Sequence, residues 1–438
     1  MYFFLPGDDL LTIDMDDNGR SDNQPLAFTL HERGYDCFDK IGKAFYLQGY
    51  GVEWDGAEYV RYSLRRLIPK FQGTKNINEL MCSVLTDEKK ILLQARGMLY
   101  ASLSGIHYKT YRNKRVMIDR RAFDDPDGYL LDPDQTVPEV EQSRLHLLAP
   151  HVYGFNLGSK KWMTFIVTEL KDVVFDEDAW EHLVLEQKTK DLIRALVEVS
   201  RNSNSNKKII SDVISGKGGG LISVLHGPPG TGKTLTAEGV AELLKRPLYM
   251  VGATELSLTP HEMERSLKGV LSLATAWDAV LLVDEADVFL EARSLHELDR
   301  NALVSVALRV LEYHKGVLFL TTNRISSFDD AFLSRFSIAI KYPPLEKDRR
   351  LIVWRRFFEL AGCSVDHESE RVTEADLDWL ASKPFNGRTV KNLVRTAQSL
   401  ALSRNESLSA DHVRTVVEVQ EKFLSEFAQI SSETVATA

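Results

Sequence analysis

The spacing of hydrophobic residues changes along the chain, and the first change separates an N-terminal part from the rest. Residues 44–64, AFYLQGYGVEWDGAEYVRYSL, place apolar residues at strand-like spacing on both sides of WDG, which is a turn signal. Residues 151–167, HVYGFNLGSKKWMTFIV, repeat this pattern around GSKK. These alternations predict a mostly β N-terminal domain over residues 1–187.

A helical period follows the N-terminal part. Residues 188–202, KTKDLIRALVEVSRN, put Leu192, Leu196 and Val199 on one face of a helix. The polar run SNSNKK then ends the apolar period. We therefore expect a helical linker over residues 188–210.

Short apolar strands alternate with helices from residue 211 to residue 345. This alternation is typical of a parallel sheet that is covered on both faces. Residues 346–425 carry helical patterns alone and predict a helical lid subdomain, and residues 426–438 are expected to form a flexible tail. The strand candidates of the α/β core are LISVL, PLYMV, AVLLV, GVLFLTT and SIAIKY.

Composition narrows the class of protein without identifying a function. A chain of 438 residues exceeds one ordinary hydrophobic core, and a net charge of −9 disfavours extensive nucleic-acid binding. No apolar run reaches the roughly 18–20 residues of a bilayer span, and the start lacks the basic leader of a secretory signal. The three cysteines, Cys37, Cys82 and Cys363, lie far apart and argue against a disulfide framework. We therefore expect an intracellular protein of the cytoplasm or nucleus.

A glycine-rich motif, HGPPGTGKT at residues 226–234, lies between the strand LISVL and the helix LTAEGVAELLK. Its glycines let backbone N–H groups turn toward phosphate oxygens, and the helix N-terminus adds partial positive charge. Lys233 is expected to reach the β- and γ-phosphates of ATP, and Thr234 is expected to bind Mg²⁺. A structural turn is the alternative, but it does not require so many constrained positions. The predicted nucleotide-binding residues of the motif are Gly227, Pro228, Pro229, Gly230, Thr231, Gly232, Lys233, Thr234 and Leu235.

Two later strands end in polar residues that complete this chemistry. AVLLVDEAD carries Asp284 and Glu285 beyond a buried strand, where α/β sheets bind ligands. Asp284 is expected to hold Mg²⁺ through water and Glu285 to orient the attacking water, with a helix-capping pair as the alternative. For Asp287 we expect a structural ion pair. Asn323 in GVLFLTTNR is expected to orient the water from the side opposite Glu285, with a turn former as the alternative.

The motifs GPPGTGKT, LLVDEAD, TTNR and DDAFLSRF occur in the order and approximate spacing of AAA-family ATPases of the AAA+ superfamily. Residues 188–425 resemble that family, which implies an α/β P-loop NTPase fold followed by a helical lid. The resemblance identifies Lys233 and Thr234 with Walker A, Asp284 and Glu285 with Walker B, and Asn323 with sensor 1.

The same resemblance implies roles for four more residues. Arg335 matches an arginine finger that reaches the γ-phosphate bound in a neighbouring subunit. Arg388 in FNGRTVKNLVRTA resembles a sensor 2 arginine, which contacts nucleotide within its own subunit. Val213 and Ile214 resemble residues that pack on adenine, although core packing explains them nearly as well. Hydrolysis is therefore expected to depend on assembly into a ring of identical subunits, such as a hexamer.

The N-terminal part resembles the domain of unknown function that precedes the AAA module in a group of fungal proteins, which suggests a fungal source. This likeness implies no activity, and the histidines of residues 1–187 do not converge on a second catalytic site. The segments that carry it are AFYLQGYGVEWDG, RLIPKFQGT, RVMIDRRAF and VYGFNLGSKKWMTFIV.

Residues 249–268, YMVGATELSLTPHEMERSLK, occupy the place where polypeptide-threading AAA rings carry an aromatic residue. Within this stretch no aromatic residue follows Tyr249. The residues that could face a ring's centre are Leu256 to Glu262, with Leu258 as a small apolar contact. A solvated loop that grips an unfolding chain weakly is the better expectation.

The expected function is ATP binding and Mg²⁺-dependent ATP hydrolysis by an oligomer that remodels a protein partner through its N-terminal domain. An assembly scaffold or switch with slow or no turnover is the main alternative, although Glu285 argues against a pure binder. A nucleic-acid motor that uses Arg61, Arg65, Arg66 and Lys70 is less favoured, because basic residues on a solvent-facing strand explain that stretch more simply. A small-molecule kinase also fits a P-loop, but not the lid and the context of Arg335.

Overall fold

The computed structural model describes most of the chain, and two compact units form within it. The first unit consists of Met1–Val174 together with Lys268–Asp278, and the second consists of Phe175–Leu267 together with Ala279–Ala438. The domain bounds inferred from the sequence stay predictions. The described residues are 3–15, 21–38, 42–124, 138–201, 220–252, 255–256, 259–291, 298–312, 314–328, 330–363 and 371–436.

The first unit begins with a five-stranded antiparallel sheet in the order β4-β3-β2-β1-β5. The predicted turn at WDG joins β3 to β4, where Trp54 pairs with Tyr59. The Asp55 carboxylate accepts hydrogen bonds from the backbone N–H groups of Ala57 and Glu58, which stabilises the turn. The strands are β1 (Asp9–Met15), β2 (Ser21–Phe38), β3 (Gly42–Trp54), β4 (Tyr59–Pro69) and β5 (Cys82–Val84).

A second five-stranded antiparallel sheet follows in the order β10-β6-β7-β8-β9. The predicted hairpin at GSKK joins β8 to β9, and the side-chain oxygen of Asn156 accepts hydrogen bonds from the backbone of Gly158 and Ser159. The two sheets confirm the mostly β reading of this region. The strands are β6 (His107–Tyr111), β7 (Lys114–Ile118), β8 (His151–Asn156), β9 (Lys161–Ile166) and β10 (Leu170–Asp172), and the helices are α1 (Asp87–Ala101) and α2 (Arg120–Asp124).

The segment Lys268–Asp278 packs inside the first unit through Trp277. The indole N–H of Trp277 donates a hydrogen bond of 2.8 Å to the buried carboxylate of Asp119. The Trp277 ring lies 5.6 Å from the ring of Phe155 and 6.0 Å from that of Trp162, between centroids. A polar anchor inside an aromatic cluster therefore fixes this segment in place.

The second unit contains a five-stranded parallel sheet in the order β12-β13-β14-β11-β15. Its central strands are buried almost end to end, which accounts for their unbroken apolar runs. The strands are β11 (Leu221–His226), β12 (Leu248–Gly252), β13 (Val280–Asp284), β14 (Val317–Thr322) and β15 (Ile338–Lys341). The parallel sheet with its helices confirms the predicted α/β fold.

The helices of this part of the chain fall into two groups. The first group lies between Gln187 and Leu333 in the chain, and the C-terminal half of its helix α5 belongs to the first unit. It consists of α3 (Gln187–Arg201), α4 (Lys233–Leu244), α5 (Pro260–Ala276), α6 (Asp287–Leu290), α7 (Leu298–Leu311) and α8 (Asp330–Leu333). The second group packs around Trp354 and Phe358 and forms the predicted helical C-terminal region. It consists of α9 (Lys347–Leu360), α10 (Glu374–Ser382), α11 (Gly387–Ser403) and α12 (Ala410–Ala436).

Helix α3 buries a face centred on Ile193 and Val197, which lie in the core of the second unit. Of the residues expected on the apolar face, Leu196 is partly buried against the same core, whereas Leu192 is 47% exposed. Leu192 was therefore the wrong member of that face, because Ile193 and Val197 are four residues apart and define the apolar stripe.

Within the described ranges, none of the helices is both long enough and apolar enough to cross a bilayer.

Candidate functional site

The carboxyl ends of three neighbouring strands bring the predicted site residues together. β14 lies between β11 and β13, and its register pairs Leu225 with Thr321 and Val283 with Leu320. The residues that follow these strand ends therefore meet at one edge of the sheet. That edge is where open α/β sheets bind ligands.

The glycine-rich loop connects β11 to helix α4 in a conformation that larger residues cannot adopt. Gly227 and Gly230 have φ values of 148° and 74°, in the region that favours glycine. A side chain on Gly227 would also collide with the carbonyl oxygen of Tyr342, and a Cβ on Gly230 would lie 2.6 Å from Asn386. Helix α4 then starts at Lys233, so the loop ends at a helix N-terminus.

Lys233 has its ammonium group turned into the loop. Its Nζ donates to the carbonyl oxygens of Gly227 at 2.7 Å and Pro228 at 2.9 Å. It also donates to the side-chain oxygen of Asn323 at 2.9 Å, which joins the end of β14 to the loop. All three N–H groups of the ammonium therefore donate to oxygen atoms. A phosphate oxygen is also a hydrogen-bond acceptor, so it can replace any of the three.

The charges around Lys233 favour an anion. Burial lowers the pKa of Lys233, Asp284 and Asp287 oppose this effect, and Arg388 adds to it. Burial also lowers the pKa of His226, and the positive charges of Lys341 and Lys233 lower it further. Cationic side chains grouped beside a helix N-terminus are the electrostatic setting of a phosphate site.

Asp284 and Glu285 leave β13 in a conformation that Thr321 holds. The Thr321 hydroxyl donates to Asp284 Oδ1 and accepts a hydrogen bond of 3.1 Å from the backbone N–H of Glu285. Glu285 has a φ of 58°, which is left-handed and costs a residue with a side chain roughly 1–2 kcal/mol. Its side chain is exposed at the strand end, where a water molecule can reach it.

Asp287 accepts a hydrogen bond of 2.9 Å from the hydroxyl of Thr322. The charge of Asp287 also acts on Lys233, and the ion pair expected for Asp287 stays a prediction. The Thr322 hydroxyl accepts a hydrogen bond from the backbone N–H of Arg324. Sequence reasoning missed both threonines, although two hydroxyl residues directly after an apolar strand and before Asn323 were a visible signal.

Arg335 makes only contacts that lie within its own subunit. Its Nη1 donates to the carbonyl oxygen of Ala331 at 2.8 Å, and its Nη2 lies 3.7 Å from the Glu312 carboxylate. Its buried Nε has no hydrogen-bond partner among the described residues. The described contacts thus do not bring Arg335 into the group formed by Lys233 and Asn323, and its role as an arginine finger stays a prediction.

The lid contacts the glycine-rich loop through the start of helix α11. The backbone N–H of Gly387 donates to the carbonyl oxygen of Gly230 at 2.9 Å. Asn386 caps the helix by accepting a hydrogen bond from the N–H of Thr389. Arg388 is exposed beside this contact, and its charge acts on Lys233. The predicted sensor 2 residue and the phosphate loop therefore share one region of the molecule.

The remaining predicted residues differ in what the structure says of them. Pro228, Pro229 and Leu235 are exposed, Thr231 is buried, and Thr234 is half-buried in the first turn of α4. Val213 and Ile214 lie outside the described residues, so their place near adenine stays a prediction.

The stretch that was expected to face a ring's centre is only partly described. Leu256 is 4% exposed and Met263 is 1% exposed, so both belong to the core and not to a solvent-facing grip. Leu258 lies outside the described residues.

The side chains at this edge of the sheet are of the types that bind Mg²⁺ and a nucleotide. Thr234 and Asp284 supply the oxygen ligands that Mg²⁺ prefers, and Lys233 with the loop supplies the contacts that phosphates prefer. Among the described residues, no group of three or more His, Cys, Asp or Glu side chains forms a separate metal cluster. A phosphate-bound Mg²⁺ with few protein ligands is consistent with such a site.

Two curated relatives each match about two fifths of the chain. A putative 26S proteasome regulatory subunit homolog from Methanothermobacter thermautotrophicus is 28% identical over 43% of this chain and 52% of its own length. An ATPase family AAA domain-containing protein 3A homolog from Drosophila melanogaster is 29% identical over 42% of this chain and 30% of its own length. The chain thus spans about half or less of these curated relatives.

The crystal structure of the FIGL-1 AAA domain overlays with a TM-score of 0.44 at 19% identity, and the overlay covers 60% of this chain and 91% of that one. The family model of the ATPase family associated with various cellular activities (AAA) matches residues 223–344. The model of a domain of unknown function (DUF7025) matches residues 1–88. By these family models, residues 223–344 form an AAA module, which supports nucleotide binding, and residues 1–88 form a DUF7025 domain.

Proposed function

We propose that this protein binds Mg²⁺–ATP at the edge of the parallel sheet and hydrolyses it. One observation carries the proposal. The hydrogen bond between Lys233 and Asn323, and those between Thr321 and the Asp284–Glu285 pair, join the ends of β11, β13 and β14 into one polar site. Groups that bind phosphate, bind a metal ion and orient water are thereby gathered at one place.

Binding of ATP requires Lys233 to exchange its present acceptors. Its ammonium leaves the carbonyl oxygens of Gly227 and Pro228 and donates to phosphate oxygens, while loop N–H groups bind the remaining oxygens. Thr234 and Asp284 are the candidates to hold Mg²⁺, which neutralises negative charge on the phosphates when it is bound. The first turn of α4 contributes its partial positive charge to the same oxygens.

Hydrolysis is assigned to Glu285 and Asn323. Glu285 projects an exposed carboxylate from the end of β13, and it would orient and polarise the attacking water. Asn323 is held next to the phosphate loop by its bond to Lys233 and would orient the same water or the γ-phosphate. The two side chains differ in role. Asn323 orients the water only through hydrogen bonds, whereas the Glu285 carboxylate can also accept a proton from that water.

We propose that the protein assembles into a ring, such as a hexamer, in which Arg335 serves the active site of a neighbouring subunit; the resemblance of DDAFLSRF to the arginine-finger motif supports this assignment. The guanidinium contacts Ala331 and lies near Glu312, and its Nε has no hydrogen-bond partner within the described part of the chain. An arginine supplied in this way can increase the hydrolysis rate by roughly 10³–10⁵. Replacing Arg335 by alanine should therefore abolish any rise in specific activity with protein concentration.

The role in the cell is proposed as the remodelling of a protein partner that the N-terminal domain binds. The sequence after Tyr249 and the burial of Leu256 both speak against a strong grip on a threaded chain. We propose an intracellular, reducing setting, which agrees with Cys37, Cys82 and Cys363 as free thiols. The scaffold alternative predicts the same ATP binding without turnover.

Two variants and one control test the nucleotide site. Lys233→Ala should lose binding of ATP in the presence of Mg²⁺, measured by isothermal titration calorimetry. Lys245→Ala removes a lysine at the far end of α4 that pairs with Glu177, and it should bind ATP as the wild type does. Glu285→Gln should bind ATP with near wild-type affinity and retain it unhydrolysed. ATP binding by Lys233→Ala, or its equal loss in Lys245→Ala, would contradict the assignment.

A further inference from the structure

Thr321 is the residue that contacts both members of the Asp284–Glu285 pair. It stands near the end of β14, directly beside the end of β13, and it is only 1% exposed. Water therefore does not compete for its hydroxyl group. The bonds that this hydroxyl makes are fixed by the protein alone.

Three consecutive residues of the β13 end are bound to Thr321. Its hydroxyl donates to Asp284 Oδ1 and accepts from the Glu285 N–H at 3.1 Å. Its backbone carbonyl oxygen accepts a hydrogen bond of 2.9 Å from the N–H of Ala286. The side chain and main chain of Thr321 thus bind all three residues from Asp284 to Ala286, where the chain leaves β13.

The hydroxyl proton has one direction available to it. A threonine hydroxyl carries a single proton and two lone pairs. Because the Glu285 N–H points at the oxygen, the oxygen serves as acceptor there and its proton is directed to the Asp284 carboxylate. One oxygen of Asp284 is thereby occupied, and the other is left for a metal-bound water.

The backbone of Glu285 needs such support. Its φ of 58° is unfavourable for a residue with a side chain, and its side chain is exposed beyond the end of β13. Without the bond to Thr321 the Glu285 N–H loses its partner, and the residue can relax toward an ordinary extended conformation. The carboxylate would then no longer be held where the water must be oriented.

We propose that Thr321 is a positioning residue for ATP hydrolysis, which fixes the Asp284 carboxylate through its hydroxyl proton and the Glu285 backbone through its hydroxyl oxygen. This inference rests on the proposed function. The neighbouring side chains serve other partners, since Thr322 binds Asp287 and Asn323 binds Lys233. The end of β14 therefore links three separate parts of the site, and Thr321 holds the catalytic one.

The test compares variants that keep or remove the hydroxyl. Thr321→Val keeps the shape, Thr321→Ala removes the hydroxyl with less bulk in case the valine variant does not fold, and Thr321→Ser keeps the hydroxyl. Thr12→Val is the matched control, because Thr12 is equally buried and its hydroxyl also both donates, to Met81, and accepts, from Arg66. The readouts are kcat, KM for ATP, the Mg²⁺ concentration for half-maximal turnover, and ATP affinity in EDTA.

Loss of the hydroxyl should lower kcat by about ten- to a hundredfold, in line with loss of a hydrogen bond to a charged group. The Mg²⁺ requirement should rise severalfold, whereas ATP affinity in EDTA should stay within about twofold, because the Thr321 hydroxyl bonds to the end of β13, which carries the metal-site carboxylate. Thr321→Ser should recover most of the turnover, and Thr12→Val should match the wild type. A kcat for Thr321→Val or Thr321→Ala within twofold of the wild type would overturn the proposal, as would a serine variant that is equally slow.

Turnover by the wild type distinguishes a failure of the proposed ATP hydrolysis from a failure of the positioning role of Thr321. A wild-type chain without turnover contradicts the proposed hydrolysis, and the Mg²⁺ dependence of ATP binding then tests Thr321 alone. A rise in the Mg²⁺ requirement of the valine variant would still support the positioning of Asp284. An unchanged requirement would contradict it.

Discussion

His314 makes the stability of the second unit sensitive to acid. The residue lies just before β14, is 3% exposed, and has no hydrogen-bond partner on either ring nitrogen among the described residues. Burial lowers the pKa of His314 from 6.5 to about 4. The imidazole is therefore neutral in the folded protein at pH values where the unfolded chain has already bound a proton.

The size of the effect follows from this shift. Because the folded pKa lies below the unfolded one, the contribution of His314 is complete above pH 6.5 and is lost as the pH falls toward 4. Over the full window of 6.5 − 4 = 2.5 pH units the loss is about 3 kcal/mol, at about 1.4 kcal/mol per unit. Between pH 7.5 and pH 5.0 it amounts to about 2 kcal/mol.

Urea unfolding at pH 7.5 and pH 5.0 measures this contribution. His314→Leu removes the titrating group and its two unsatisfied nitrogens, so the wild type should lose about 2 kcal/mol more than the variant on acidification. His31→Leu, at an exposed histidine, should keep the pH dependence of the wild type. Equal losses in the wild type and in His314→Leu would refute the reasoning, because the buried imidazole would then not be the group that titrates.

Two further predictions concern the site and the first unit. Asn323→Ala should lower kcat by about tenfold or more while KM for ATP changes little, since Asn323 orients and does not carry the phosphate charge; a change in KM alone would contradict this role. Burial alone would raise the pKa of Asp9, but hydrogen bonds from His146 and Thr29 lower it to about 2. The resulting stability is present above pH 3.8 and is lost as the pH falls through 2, so Asp9→Asn should cost about 1–2 kcal/mol at neutral pH and less in acid. Thermal unfolding across this range is the check, and a difference between Asp9→Asn and the wild type that does not shrink in acid would count against it.

The parallel sheet was predictable from sequence because its strands are buried on both faces. The unbroken apolar runs of β11, β13 and β14 mark such strands, and the turn signals at Asp55 and Gly158 marked the hairpins of the first unit. Helix α3 was harder, since Leu192 and Ile193 are adjacent and equally apolar. Only packing against the sheet decides that Ile193 is the buried one.

The candidate site was predictable in its residue types but not in its connections. Lys233, Asp284, Glu285 and Asn323 stand in motifs whose order is informative. The role of Thr321 depends on β14 lying next to β13, and neighbours in a parallel sheet are set by crossover connections that sequence proximity does not give. The left-handed backbone of Glu285 likewise has no signal in the residue type.

ATP turnover per chain, measured for the wild type and Glu285→Gln over a range of protein concentrations, tests the central claim most directly. We expect the wild type to release phosphate with a specific activity that rises with concentration, and the variant to be slower by at least about a hundredfold at every concentration. Equal turnover by the two proteins would contradict the assignment of Glu285. An absence of turnover by the wild type at all concentrations, with ATP bound, would contradict hydrolysis itself and favour an ATP-dependent scaffold.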